Sequence, residues 1–195
     1  VALIAAQGCP NYFGEQRFGR EGSNLERALR LKAQHLRRKQ PRDGMALSAM
    51  RSWLFNEYLG ERVEAGNWRD VLEGDPALRG VPTGPLFGDG GTSAAGAQGA
   101  AEQAVLERHP VFKALFDAGR MPPDRRDLVL YPKDLCIEWQ DDYLCVQTFL
   151  PSGAFLTTLL AELIDFSSGA ISLQEAATGA GQDVQGSPDE VVTGK

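Results

Sequence analysis

"DLVLYPKDLCIEWQDDYLCVQTFL", residues 127–150, is the stretch on which the fold class turns. Leu135, Ile137 and Trp139 alternate with Cys136, Glu138 and Gln140. That period of two belongs to a strand with unequal faces. "QDD" at 140–142 supplies a turn, so the stretch predicts a β-hairpin. "PSGAFLTTLLAELIDF" (151–166) follows and reads as a helix, capped by Ser152 and apolar along Phe155, Leu159, Leu160 and Leu163. Beyond Ser167 the composition turns to Gly, Ser, Gln and acid, which predicts a disordered tail.

Upstream the period lengthens. Ser23 with Glu26 three residues later forms a capping-box pattern, so a helix is expected from about Asn24. Leu25, Leu29, Lys32 and Leu36 lie on one stripe with Ala28 beside it, and Arg27, Arg30, Arg37 and Arg38 face solvent. "QPRDG" (40–44) ends that helix. A second is expected over about 46–63, where Leu47, Met50, Leu54 and Tyr58 recur at core spacing. Residues 66–99 lose periodicity and read as a turn and a flexible Gly-rich loop. They contain no GxxxxGK[ST] and no GxGxxG between a strand and a helix, so a phosphate cradle is not expected there. A third helical stretch, about 100–118, is interrupted at Pro110. Helices first and strands later make the chain α+β.

The 195 residues, 43% hydrophobic and 24% charged, suit one good core or two small ones. No apolar run approaches the roughly 18 residues that span a bilayer. "VALIAA" is too short for a signal-peptide core, and without an initiator Met the chain is expected to be cut from a longer one. Cys9, Cys136 and Cys145 form neither an even set nor a CxxC, which indicates no disulfide framework or zinc site. Cys136 and Cys145 could face each other across a hairpin, but in a reducing cytoplasm these two read as small apolar residues. His35 and His109 lie far apart, and no metal is expected. The net charge of −6 is uneven. Residues 1–42 carry nine Lys/Arg against three acids, a basic head suited to a polyanion on an acidic chain.

"CPNYFGEQRFG" (9–19) concentrates Tyr12, Phe13, Phe18, Arg17, Asn11 and Gln16 between glycines. Its core, "NYFGEQRFG", followed by "GSNL" (22–25), resembles the signature of the tRNA pseudouridine synthase D (TruD) family. "LSAMRSWLFNEYLGERV" (47–63) is similar to that family's second helix signature, and residues 130–164 resemble its C-terminal stretch. The resemblance implies isomerisation of uridine to pseudouridine at position 13 of tRNA, with no metal or organic cofactor. The glycosidic bond must break, the base must turn, and its C5 must join the sugar carbon. That requires a carboxylate beside C1′, a flat partner for the extruded base and cations for phosphates.

By periodicity Phe155 is a core residue opening a helix; the resemblance places it against the target uracil. Asn11, Tyr12, Phe13, Gln16, Arg17 and Phe18 are then cleft-lining or RNA-binding, the aromatics mainly fixing the loop and the polar groups contacting RNA or bracing the site. Arg20, Arg27, Arg30, Arg37 and Arg38 are expected to meet phosphates. The family's catalytic Asp lies in a GxKDxxAxTxQ-like motif absent from these residues, and Asp141 and Asp142 in a hairpin turn are no substitutes. The resemblance also departs at Ala161, where relatives usually carry Arg, and in a shortened stretch near 75–81. The implied organisation is an inserted domain over 1–123, a catalytic-domain segment over 124–168 and a tail over 169–195, with the rest of the enzyme in cis or in trans. A non-catalytic RNA-binding fragment or partner is the alternative, and a helical protein-interaction module ranks behind it. Sheet edges lacking their partners would make the isolated chain aggregation-prone.

Overall fold

A computed structural model describes residues 1–32, 36, 41–78, 80–141 and 143–164. In chain order the elements are α1 (Ala2–Gln7), β1 (Cys9–Pro10), α2 (Ser23–Arg30), α3 (Pro41–Glu64), β2 (Thr83–Leu86), α4 (Gly96–Glu107), α5 (Pro110–Gly119), β3 (Asp124–Asp127), β4 (Val129–Leu130), β5 (Lys133–Gln140), β6 (Tyr143–Phe149) and α6 (Leu156–Ala161). Short 3-10 turns at Glu15–Phe18 and Arg20–Gly22 lie between β1 and α2. This is an α+β chain, and Val1–Leu163 forms one compact unit.

The long helix α3 organises it. Ala46, Leu47, Met50, Leu54, Phe55, Tyr58 and Leu59 are all buried, a stripe wide enough to take partners on more than one side. Ala28 of α2, Val105 and Leu106 of α4, Phe112, Leu115 and Phe116 of α5, Phe87 and Leu128 complete this core. A smaller cluster of Cys9, Leu130 and Leu159, flanked by Ile4, Leu135 and Leu150, lies where α6 meets β1 and β4.

Among the described residues the strands pair in twos, all antiparallel: β1 with β4, β2 with β3, and β5 with β6. The expected hairpin is present. Gln140 pairs with Tyr143 across the turn, where Asp141 holds φ 52°, a left-handed value that Asp tolerates. Two buried ion pairs lock the connections. Arg62 bonds both oxygens of Asp75 at 3.1 Å and also reaches Tyr58, Asn67 and Asp70. Arg125 reaches Glu102 at 2.7 and 3.1 Å and the Thr83 carbonyl at 2.6 Å.

Several expectations are corrected. Ser23 and Glu26 form no capping box, because Ser23 is already helical and the cap is the left-handed Gly22. The stripe through Leu29 and Lys32 does not hold either. The helix stops at Arg30, Leu31 turns extended, and Leu29 is 62% exposed while Ala28 is buried. The remainder of that expected helix (33–35 and 37–39) lies outside the described residues, as does the tail from 169. α3 begins earlier than its apolar pattern suggests, at Pro41. The Gly-rich region contains β2 and the buried Phe87. A four-residue strand carrying Gly84 and Pro85 shows no readable alternation. Pro110 does divide the third stretch, standing at the first turn of α5. Ser152 caps nothing, since the cap position is Phe155 and α6 starts at Leu156. Cys136 and Cys145 are exposed on the hairpin.

Candidate functional site

Backbone hydrogen bonding fixes the 11–19 loop first. Asn11 donates its N–H to the Leu128 carbonyl at 2.9 Å and its amide Nδ2 to the Asp127 carbonyl at 2.8 Å. Phe13 is held by Asn56 of α3, which accepts from its N–H at 2.8 Å and donates to its carbonyl at 2.9 Å. So held, the Phe13 ring packs edge-on to Phe55 (5.5 Å) and Phe155 (5.9 Å). Gly14 lets the loop approach α6. A Cβ there would lie 2.7 Å from Gln16 Oε1, 2.8 Å from Thr157 Oγ1 and 3.3 Å from Phe155 Cβ. Gly19, at φ +79°, turns the chain back over Ser23 and Asn24.

Around this loop lie three arginines with no carboxylate in contact among the described residues. Arg126 donates to the Asn11 carbonyl (3.1 Å), Asn11 Oδ1 (2.6 Å) and the Gly153 carbonyl (2.8 Å), and its Cζ sits 4.1 Å from the Phe13 ring centre. Burial, then the nearby Arg17, pushes its pKa down to about 10, so it stays charged at neutral pH. Arg17 donates through Nε to Ser52 Oγ at 3.0 Å and through Nη2 to Ser48 Oγ, and burial lowers its pKa too. Arg51 donates to the Leu86 and Pro122 carbonyls; burial depresses it, partly countered by Asp124. Cation–π contact and carbonyl dipoles take the place of counter-ions.

The arrangement opens on a cleft of about 490 Å³ lined by Gln16, Arg17, Asn24, Gly44, Met45, Ser48 and Phe155. No acid is among these residues. Gln16, Arg17 and Phe155, separated by about 140 positions in the chain, therefore share one wall, and Thr157 Oγ1 donates to Gln16 Oε1 at 3.3 Å. The other candidates lie elsewhere. Asn11 and Phe13 are buried supports beneath the cleft. Tyr12 packs against the main core, its hydroxyl pKa raised by burial and then by Glu162 and Glu64. Phe18 meets Trp53 edge-on in a separate recess with Asn56 and Glu57. Of the basic residues, Arg20 is exposed with no ion pair among the described residues. Arg27 pairs with Asp43 and Arg30 with Glu26, both at 3.3 Å. Arg37 and Arg38 lie outside the described residues.

Sequence reasoning missed Arg126, Asn56, Ser48 and Ser52. The last three carried a signal. Ser48, Ser52 and Asn56 recur every four residues, a polar line beside the apolar stripe of α3, and that line faces the loop. Arg126 carried none, because "DRRD" does not show which arginine turns inward. Among the described residues no group of three or more His, Cys, Asp or Glu is placed to hold a metal, and no helix is long and apolar enough to cross a membrane.

No protein-family profile matches the chain. Curated proteins do. The tRNA pseudouridine synthase D of Marinobacter nauticus is 44% identical over 178 residues, covering 87% of this chain and 51% of that protein. Its namesakes from Pseudoalteromonas atlantica and Methylococcus capsulatus are 34% and 37% identical, covering 86% and 85% of this chain and 56% and 54% of theirs. The chain thus spans about half the length of the curated relatives it matches. Among solved structures, a Methanosarcina mazei protein assigned as tRNA pseudouridine synthase D (TruD) shares the fold, with a TM-score of 0.56 at 19% identity. The match covers 82% of this chain and 62% of that one.

Proposed function

Because the chain belongs to the tRNA pseudouridine synthase D family, we propose that it supplies the base-binding cleft of an enzyme that isomerises uridine 13 of tRNA to pseudouridine. The observation that carries this reading is the meeting of Phe155 with Gln16 and Arg17 around one open cleft. A uridine drawn out of its stack needs a flat apolar partner, and Phe155 supplies it at the cleft wall. Gln16 offers an amide for the uracil edge, and Asn11, Tyr12, Phe13 and Phe18 hold the loop from which Gln16 and Arg17 project. Arg20, Arg27 and Arg30 supply cations for the RNA phosphates, and the expected contribution of Arg37 and Arg38 lies outside the described residues.

The isomerisation conserves every atom. The C1′–N1 bond breaks, the uracil turns, C5 bonds to C1′ and the C5 proton moves to N1. No carboxylate is among the described residues that line the cleft, and no GxKDxxAxTxQ-like stretch occurs in the 195 residues. We therefore assign the nucleophilic Asp to sequence outside them, in cis or in trans. In this reading residues 1–123 are the family's inserted domain, 124–168 return to the catalytic domain, and 169–195 are a tail.

The test is carbodiimide mapping of tRNA from a strain whose sole synthase of this family is the complete gene. Pseudouridine at position 13 is expected, and unmodified uridine there overturns the assignment. The acid-free cleft favours one other reading, a non-catalytic RNA-binding partner, for which tRNA would bind without conversion.

A further inference from the structure

A buried cation ordinarily carries a carboxylate partner, and the two most enclosed ion-paired arginines here obey that rule, Arg62 with Asp75 and Arg125 with Glu102. Arg126 instead spends three of its five N–H groups on oxygens of Asn11 and Gly153. Arg17 differs from all of them. Two of the five N–H groups of its fork are used, both on neutral serine hydroxyls, and it lines an open cleft.

The two serines set the orientation of the fork. Ser52 spends its own proton on the Ser48 carbonyl at 3.0 Å, so its oxygen is left to accept from Arg17 Nε. Ser48 receives Nη2 one helical turn earlier on the same face of α3. The remaining donors belong to a charge raised in energy by burial, with Arg126 and Arg51 as its cationic neighbours. The rest of the lining is neutral, namely the Gln16 and Asn24 amides, Gly44, Met45 and the Phe155 ring. A planar fork with free N–H groups and no internal anion fits a tetrahedral oxyanion. A flat ring on the same cleft fits the base attached to it.

We infer that Arg17, oriented by Ser48 and Ser52, binds one phosphodiester of the RNA, the one flanking the nucleotide whose base stacks on Phe155. This rests on the function proposed above and names the ligand of one side chain within it. Arg17 is then a substrate-binding residue that fixes the sugar relative to the stacked base, and its two serines are positioning residues.

The test pairs the complete synthase, wild type and Arg17→Gln, with RNA substrates carrying a neutral methylphosphonate in place of the phosphate 5′ or 3′ of the target uridine. In the wild type, one of the two replacements should raise KM about tenfold or more. The same replacement should change KM less than twofold in Arg17→Gln. Arg17→Lys should recover part of the affinity, and the slope of log affinity against log salt should fall by about one in Arg17→Gln. If neither methylphosphonate affects the wild type, the inference is wrong, whatever the variant does to folding. Equal effects in wild type and Arg17→Gln overturn it as well. A loss of kcat with KM and salt slope intact would mean that Arg17 serves a protein carboxylate, and that also overturns it. If the wild type converts no unmodified RNA, the proposed function fails separately, and the same cycle read by RNA affinity decides the phosphate site.

Discussion

The side-chain amide of Asn56 meets the backbone of Phe13 on both sides, accepting from its N–H at 2.8 Å and donating to its carbonyl at 2.9 Å. In effect one side chain of α3 acts as a strand partner for the backbone at Phe13. The Phe13 ring carries this constraint on to Phe55 and Phe155, so the aromatic wall of the cleft is set from within the helix.

Asn56→Ala should therefore destabilise the protein by about 2 kcal/mol, since it strips a partly buried donor and acceptor of their partners. Asn56→Asp keeps the acceptor and loses the donor, and should cost as much or more. Urea denaturation checks both, as a lower midpoint at unchanged slope.

Gly14→Ala should retain the fold but impair the cleft, because its Cβ would lie 3.3 Å from Phe155 Cβ and 2.8 Å from Thr157 Oγ1. A destabilisation of about 1–3 kcal/mol is expected for such overpacking. Adding Thr157→Ala removes one of the clashing atoms and should recover part of the loss. If the double variant is no better than the single one, contact with α6 is not the reason for glycine.

The Arg62–Asp75 pair should behave as a buried ion pair. Its side chains are 5% and 0% exposed, so Arg62→Ala leaves an unpaired carboxylate and should cost about 3–5 kcal/mol. Arg30→Ala, which breaks an exposed pair with Glu26, should cost under about 0.5 kcal/mol. Comparable losses from the two, measured by thermal or urea unfolding, would contradict the burial argument.

The thiols should separate in reactivity. Cys136 and Cys145 are exposed, and Cys9 is buried with its pKa pushed up to about 11 by burial and then by Glu162. In the native protein Cys145 should react with a disulfide reagent at pH 8 before Cys136, whose pKa is raised by its hydrogen bond to Glu138, and Cys9 only on unfolding. A raised folded pKa means that the unfolded state releases the proton first. The contribution of Cys9 to stability is thus complete below about pH 9 and lost as pH rises toward about 11. Cys9→Ala should remove that part of the alkaline decline.

Trp139 and Phe149 are 75% and 64% exposed on the β5–β6 hairpin, whose strands pair only with each other among the described residues. Trp139→Ser should lower self-association of the 195-residue chain in light scattering while changing stability by less than about 0.5 kcal/mol. Unchanged association would place the adhesive surface elsewhere.

What could be read from the residues was local. The α3 core stripe and the alternation of Leu135, Ile137 and Trp139 follow from the 3.6 and 2.0 periods of the backbone, which operate within a few residues. Pro110 divided α4 from α5 for the same reason: the missing N–H and fixed φ act where the proline stands. The strand at Thr83–Leu86 was not legible, because its pairing to Asp124–Asp127 lies 38 to 44 positions away and its own Gly and Pro argue against a strand.

The cleft shows the same division more sharply. Composition marked "NYFGEQRFG" as dense in recognition chemistry. Which of its residues face the cleft was decided by contacts across 43 to 141 positions: Asn56 to Phe13, Arg126 to Asn11, Thr157 to Gln16. Sequence alone determined the core stripe of α3, the division at Pro110, the hairpin and the loop's inventory of groups. Tertiary structure alone decided that Phe13 supports, that Arg126 bonds oxygens of Asn11 and Gly153, and that Arg17 bonds two serine hydroxyls at the cleft. Whether a polar group is satisfied depends on which distant oxygen comes within about 3 Å of it, and no local pattern records that distance.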